Sequence, residues 1–149
     1  MKILALDLAS KTGWAANGEG RRSGTMEFQL KRGESPGMRF LRCRAWLNEI
    51  KGLLGDFDVI VYEQAHHRGG YATAVCVGLV TEVLAFAAGH GIETMPVHSA
   101  TLKKYATGSG RASKEDMLAE AKKRGWDPAD DNEADAILLL EYGLKELGT

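Results

Sequence analysis

The sequence predicts a mixed α/β fold: a five-stranded sheet with helices packed on it. Three observations carry this. Short apolar runs at residues 2–8 and 58–63 are too brief for helices and read as buried strands. Between them, Met38, Leu41, Ala45, Ile50 and Leu53 recur at helical spacing. The element order is three strands, helix, strand, helix, strand and then helices, which suits one sheet covered by helices. At 149 residues the chain is expected to be one domain over 1–149, with enough length for its own core.

Each element has a local reason. Residues 2–8 form the first strand. Residues 13–16 and 24–30 continue as an antiparallel meander around the turn Gly18-Glu19-Gly20. Ser35-Pro36 opens a helix that runs to about Leu54, with Arg39, Arg42 and Lys51 largely off its apolar stripe. Gly55-Asp56 ends it, and 58–63 is the next strand. A loop over 66–71 leads to an apolar helix at 72–89. A strand follows at 92–97, with Pro96 near its end. Ser99 is read as the cap of a short helix near 100–105, and 107–111 as a Gly/Ser-rich loop. Ser113 caps a helix over 114–124, with Asp116 completing an approximate capping box. Asp127-Pro128 breaks the chain before a final helix at about 131–147.

Composition narrows the function classes. Charge is balanced at −1 and 26% of residues are charged, which argues against a disordered chain. Cys43 and Cys76 form no CxxC pair and read as reduced thiols of a cytoplasmic protein. No signal-type segment is evident at the N-terminus. No apolar run approaches the roughly 20 residues that span a bilayer, so no membrane association is expected. The local charge distribution is uneven. Residues 21–51 carry eight Lys/Arg against Glu27, Glu34 and Glu49, and residues 98–125 carry seven against three acids. Residues 126–149 reverse this, with seven acids against Lys145. Two basic stretches flanking an acidic one suit a polyanion held over bound cations.

The acids themselves are the strongest signal. Asp7 closes the run Ile3-Leu4-Ala5-Leu6, Glu63 closes Val59-Ile60-Val61-Tyr62, and Asp135 lies in Ala134-Asp135-Ala136-Ile137-Leu138. A carboxylate embedded in apolar sequence is costly unless it is paired or holds a metal. Three of them suggest one convergent site. Hard oxygen ligands without a matching His or Cys cluster favour Mg²⁺, with Mn²⁺ as a substitute. Two such ions about 4 Å apart can activate a water and stabilise the leaving oxygen in phosphodiester hydrolysis. On that reading Asp7 bridges the ions, Glu63 holds one and Asp135 the other.

With these positions in place, the chain resembles the RuvC family of Holliday junction resolvases, in its phage-like branch. The resemblance spans nearly the whole chain. It rests on Asp7 with Gly13, on Val61-Tyr62-Glu63-Gln64, on Lys103 through Lys114, and on Asp131-Asn132-Glu133-Ala134-Asp135-Ala136. It implies an RNase H-like fold, a homodimer, and divalent-metal cleavage of two opposed strands of a four-way DNA junction. It also implies functional roles for Lys103 and Lys114, where a cation can stabilise charge developing at the cut; Lys104 is an alternative to Lys103. The family usually has an acid or His three residues before the last Asp, where this chain has Asn132. Asp131 is therefore favoured as the fourth ligand, since i,i+4 also shares a helix face, with Asn132 and Asp130 as alternatives. The family's aromatic wedge position is His66 here, followed by His67 and Arg68. His66 is expected to stack on a base and Arg68 to bind phosphate. Arg39, Arg42, Lys104 and Arg111 complete the expected DNA-binding set.

Three other readings compete. A fork or flap nuclease of the same fold would use identical catalytic residues. A sugar-kinase or actin-like ATPase fragment fits Asp7 to Gly13 loosely, but 149 residues do not supply its two domains. A non-catalytic junction-binding protein would not need all three acids. The apolar helices at 38–54 and 72–89 exceed what one small core demands, so one of them is expected to form the dimer interface.

Overall fold

The computed structural model describes residues 1–64 and 69–148. Its elements run β1 (Ile3–Asp7), β2 (Lys11–Ala16), β3 (Arg22–Glu27), α1 (Gly37–Leu54), β4 (Val59–Glu63), α2 (Gly70–His90), β5 (Glu93–Val97), α3 (Ser99–Thr107), α4 (Lys114–Lys123) and α5 (Asp131–Glu146). The five strands form one sheet in the order β3-β2-β1-β4-β5. β2 pairs antiparallel with β1 and β3, while β4 pairs parallel with β1 and β5. This is the mixed α/β sheet expected from the sequence.

The central strands are apolar along their length because both faces are covered. Leu4, Leu6 and Leu8 of the β1 region, with Ile60 and Tyr62 of β4, join a core with residues of α1 and α2. The alternate residues Ile3, Ala5, Val59 and Val61 join a second core with α3, α4 and α5. The period of two thus assigns each residue of β1 and β4 a face. Asp7 and Glu63 have the parity of Ala5 and Val61, so they belong to the face that carries α5.

Two close approaches hold the helices at their heights. A Cβ on Gly13 would lie 1.9 Å from the carbonyl oxygen of Asn132, so the start of α5 crosses β2 where no side chain fits. A Cβ on Gly78 would lie 2.3 Å from the Phe40 ring, which seats α1 against α2.

Several boundaries differ from expectation. β3 stops at Glu27 rather than continuing to residue 30. Phe28 turns in from the sheet edge and is fully buried, its N–H donating to Ser10 O at 2.7 Å. Ser99 does not cap α3. It is the first helical residue, and His98 before it makes no side-chain cap bond. The capping box of Ser113 and Asp116 is present in both directions. Cys43 and Cys76 are both unpaired.

α2 also corrects the reading of apolar runs. It is 21 residues long with mean hydropathy 1.8, long and apolar enough to cross a membrane by length and composition. Its inner face, Val75, Leu79, Val83, Phe86 and Ala87, packs in the core. Its charged Glu82 is held by Arg44 of α1 through two hydrogen bonds of 2.9 and 3.0 Å. On its outer face Val77 and Leu84 remain 43% and 40% exposed.

Candidate metal centre and nucleic-acid interface

Asp7 and Glu63 are the last residues of two adjacent parallel strands, one rung beyond the pair Leu6 and Tyr62. Their carboxylates emerge on the same face at the carboxyl ends of the strands. α5 crosses that face above Gly13 and brings Asp135 down between them. One oxygen from each of Asp7, Glu63 and Asp135 lies within 4.8 Å of the others.

The electrostatics follow from this crowding. Burial, the charges of Glu63 and Asp135, and a hydrogen bond with Glu63 hold the Asp7 carboxyl well above the usual carboxylate range. Burial, then Glu63 and Asp131, push Asp135 up to about 7, against the opposing pull of Lys103 and Lys114. Like charges this close cannot all ionise without a counter-ion. Asp135 Oδ1 is buried and has no hydrogen-bond partner among the described residues. An orphaned carboxylate oxygen facing two more carboxylates is a donor set for a hard divalent cation. The residues present fit the metal.

The fourth-ligand candidates separate. Asp130 is occupied elsewhere: it caps α5 by accepting from Glu133 N at 2.9 Å and pairs with Lys11 at 2.8 Å. Asn132 presents its backbone carbonyl to Gly13. Asp131 is outside the group of three but close enough to raise the pKa of both Asp7 and Asp135. It lies 3.8 Å from Lys114 Nζ.

Lys103 and Lys114 come from α3 and from the first residue of α4, and both act on Asp135. Lys103 is half-buried, whereas Lys104, Arg111 and Lys114 are exposed on the same side of the sheet as α5. His66 and Arg68 lie outside the described residues.

Arg39 is more deeply seated than its place in a basic stretch suggests. It is not a free surface cation: it is 7% exposed, its Nε donates to Phe28 O at 2.8 Å, and Nη1 donates to Tyr71 Oη at 2.7 Å. Arg42 is also engaged, with Glu34 and with Gln29 O. The helical periodicity placed Arg39 off the apolar stripe because a long side chain can tuck its stem inward from a flanking position.

Two residues near the site escaped sequence reasoning. Cys76 of α2 has its thiol pKa raised by burial and by Asp7 and Glu63. Lys11, at the start of β2, anchors the α5 cap through Asp130. No sequence signal marks either, because their neighbours come from distant segments.

No protein-family model and no curated protein matches the sequence. Solved structures do. The chain is similar to Thermus thermophilus RuvC in complex with a Holliday junction substrate, with TM-score 0.78 and 18% identity, covering 94% of this chain and 90% of that one. It is also similar to the Thermus thermophilus RuvC structure, with TM-score 0.70 and 19% identity over 100% and 98%. The yeast mitochondrial Holliday junction resolvase Ydc2 matches at TM-score 0.55 and 12% identity over 93% and 76%. The architecture is therefore a mixed five-stranded sheet covered by helices, with three carboxylates gathered at its carboxyl edge. More narrowly, the chain has the fold of the RuvC resolvases, end to end.

Proposed function

We propose that this protein is a metal-dependent endodeoxyribonuclease that resolves four-way DNA junctions by paired incision. The observation that carries the proposal is the convergence of Asp7, Glu63 and the orphaned Asp135 within 4.8 Å at one edge of this fold. The likeness to a resolvase seen with its junction supports the choice of substrate.

Asp7, Glu63 and Asp135 would hold divalent metal, with Asp131 as the fourth ligand. We assign Mg²⁺, with Mn²⁺ substituting, and two ions per site. When bound, the metal supplies an activated water and neutralises the leaving oxygen. The chain's own residues do the rest. Lys114 and Lys103 lie beside the carboxylates and stabilise negative charge that develops on the scissile phosphate. Lys104 and Arg111 bind the flanking backbone; of the residues outside those described, His66 is assigned to stack on a base and Arg68 to hold phosphate.

Paired incision needs two sites. The outer face of α2, with Val77 and Leu84 exposed, supports a homodimer joined there. Such an enzyme works where DNA is recombined, in the cytoplasm of a bacterial or phage-infected cell.

The test is to incubate the protein with Mg²⁺ and labelled four-way, forked and linear DNA and to map the cuts. Symmetric paired cuts confined to the four-way junction support the proposal. Equal nicking of forks and junctions would move the assignment to a general branched-DNA nuclease.

A further inference from the structure

Arg39 is a largely buried cation with no acid paired to it among the described residues. It lies in the first turn of α1, and Tyr71, to which it donates, lies in the first turn of α2. No ion pair reaches Arg39 among the described residues, and its Nη2 makes no hydrogen bond there. A largely buried guanidinium that has no counter-charge and keeps one donor edge open is suited to an anion. The surroundings favour an anion further. α1 and α2 are 18 and 21 residues long, neither has a side-chain cap, and neither has an acid in its first turn. Ser35 Oγ accepts from Gly37 N at 3.3 Å at the start of α1, but no carboxylate in the first turn offsets the positive end of either helix.

Tyr71 supplies the opening. It is 69% exposed, and the Arg39 guanidinium carbon lies 5.6 Å from its ring centroid. Its oxygen accepts from Arg39, and the phenolic O–H has no acceptor among the described residues, so it can donate outward. The pair thus presents one hydroxyl donor and one guanidinium edge to the same space. Phe28 fixes the depth of this site: its carbonyl holds Arg39 Nε, and its N–H is tied to Ser10, three residues beyond Asp7. The site therefore sits at the carboxylate end of the sheet. It lies on the α1/α2 face, across the sheet from Lys103 and Lys114.

We infer that Arg39 and Tyr71 form a built phosphate subsite that grips the DNA backbone on the side of the sheet opposite the catalytic lysines. This deepens the nuclease reading and rests on it for the identity of the anion. Duplex or junction DNA lying across the sheet edge would be held from both faces. Tyr71 is a positioning residue in this scheme and does not touch the scissile bond.

The experiment measures equilibrium binding of a labelled four-way junction and a linear duplex in Ca²⁺, across a salt series. It compares wild type with Tyr71→Phe, Tyr71→Ala, Arg39→Gln and Arg39→Lys. Loss of one charge-assisted hydrogen bond is expected to weaken binding roughly tenfold in Tyr71→Phe. Arg39→Gln should flatten the slope of log affinity against log salt by about one, and Arg39→Lys should restore it. If Arg39→Gln unfolds, the exposed Tyr71 variants carry the test alone. Wild-type affinity and slope in both Tyr71 variants would overturn the subsite. If wild type binds DNA without cutting or preferring junctions, yet Tyr71→Phe weakens that binding, the subsite stands and the resolvase reading falls. If wild type binds no DNA, both fall.

Discussion

At the residue scale, the three acids are held together against their own repulsion, and this has a measurable sign. Asp7 and Asp135 both have raised pKa values, Asp135 from 3.8 to about 7. In metal-free protein the native state therefore keeps protons that the unfolded chain has lost. The stability they contribute is full below about pH 4 and is lost as pH rises through about 7. The thermal midpoint of metal-free protein should fall over that window, and Asp135→Asn should remove much of the fall. Mg²⁺ should reverse it at pH 7–8 in wild type and not in Asp135→Asn, because binding requires the deprotonated ligands. A midpoint flat across that range with no response to Mg²⁺ would contradict the metal site. Lys114 should behave differently from the acids. Lys114→Ala is expected to lower the single-turnover rate at saturating DNA more than it lowers affinity, as measured by rapid quench and by binding in Ca²⁺. An effect on affinity alone would make it a backbone anchor. The acids were legible in the sequence because a carboxylate inside an apolar run has few structural explanations. Arg39 was not, since helical periodicity does not reveal where a long side chain places its charge.

At the element scale, α5 is positioned by what is missing beneath it. Gly13 leaves room for the Asn132 carbonyl, so Gly13→Ala forces backbone against backbone. Overpacking of this kind costs about 1–3 kcal/mol even where side chains can yield. Here Asp135 would also be lifted from Asp7. Urea unfolding should show that loss, and calorimetry should show weaker Mg²⁺ binding than in wild type. Unaltered metal binding would mean that α5 is seated by other contacts. The outer face of α2 makes the companion prediction. Leu84→Glu places a charge on that apolar stripe, and light scattering should report a dimer for wild type and a monomer for this variant. The long elements were readable from period and caps, including the box at Ser113 and Asp116. The end of β3 was not, because Phe28 continues the strand's composition while the fold buries its ring and gives its carbonyl to Arg39.

At the scale of the whole molecule, the sheet separates two layers and gathers charge chemistry at one edge. Lys103 and Lys114 act on the acids from the α3–α5 side, while Arg39 and Tyr71 sit on the α1–α2 side. DNA spanning that edge would neutralise cations of both layers. Neutralising six to ten phosphates implies a loss of roughly 10³–10⁵ in affinity between about 50 and 200 mM salt. The mixed sheet was legible from element order and the convergence of Asp7, Glu63 and Asp135 from their apolar contexts, while the parallel pairing of β1 with β4 is what brings Asp7 beside Glu63. How the basic stretches divide between the two layers was not legible, because it depends on which face each helix covers. The activity proposed for the site of the three converging acids is paired cleavage of opposed strands of a four-way junction. Its most direct test is Mg²⁺-dependent incision of a four-way junction labelled on each strand in turn, by wild type and by Asp7→Asn, Glu63→Gln and Asp135→Asn. The expected result is symmetric paired cuts by wild type, and no cuts by any variant while each still binds the junction. Wild-type cutting by any of the three variants, or no Mg²⁺-dependent incision by wild type, would contradict it.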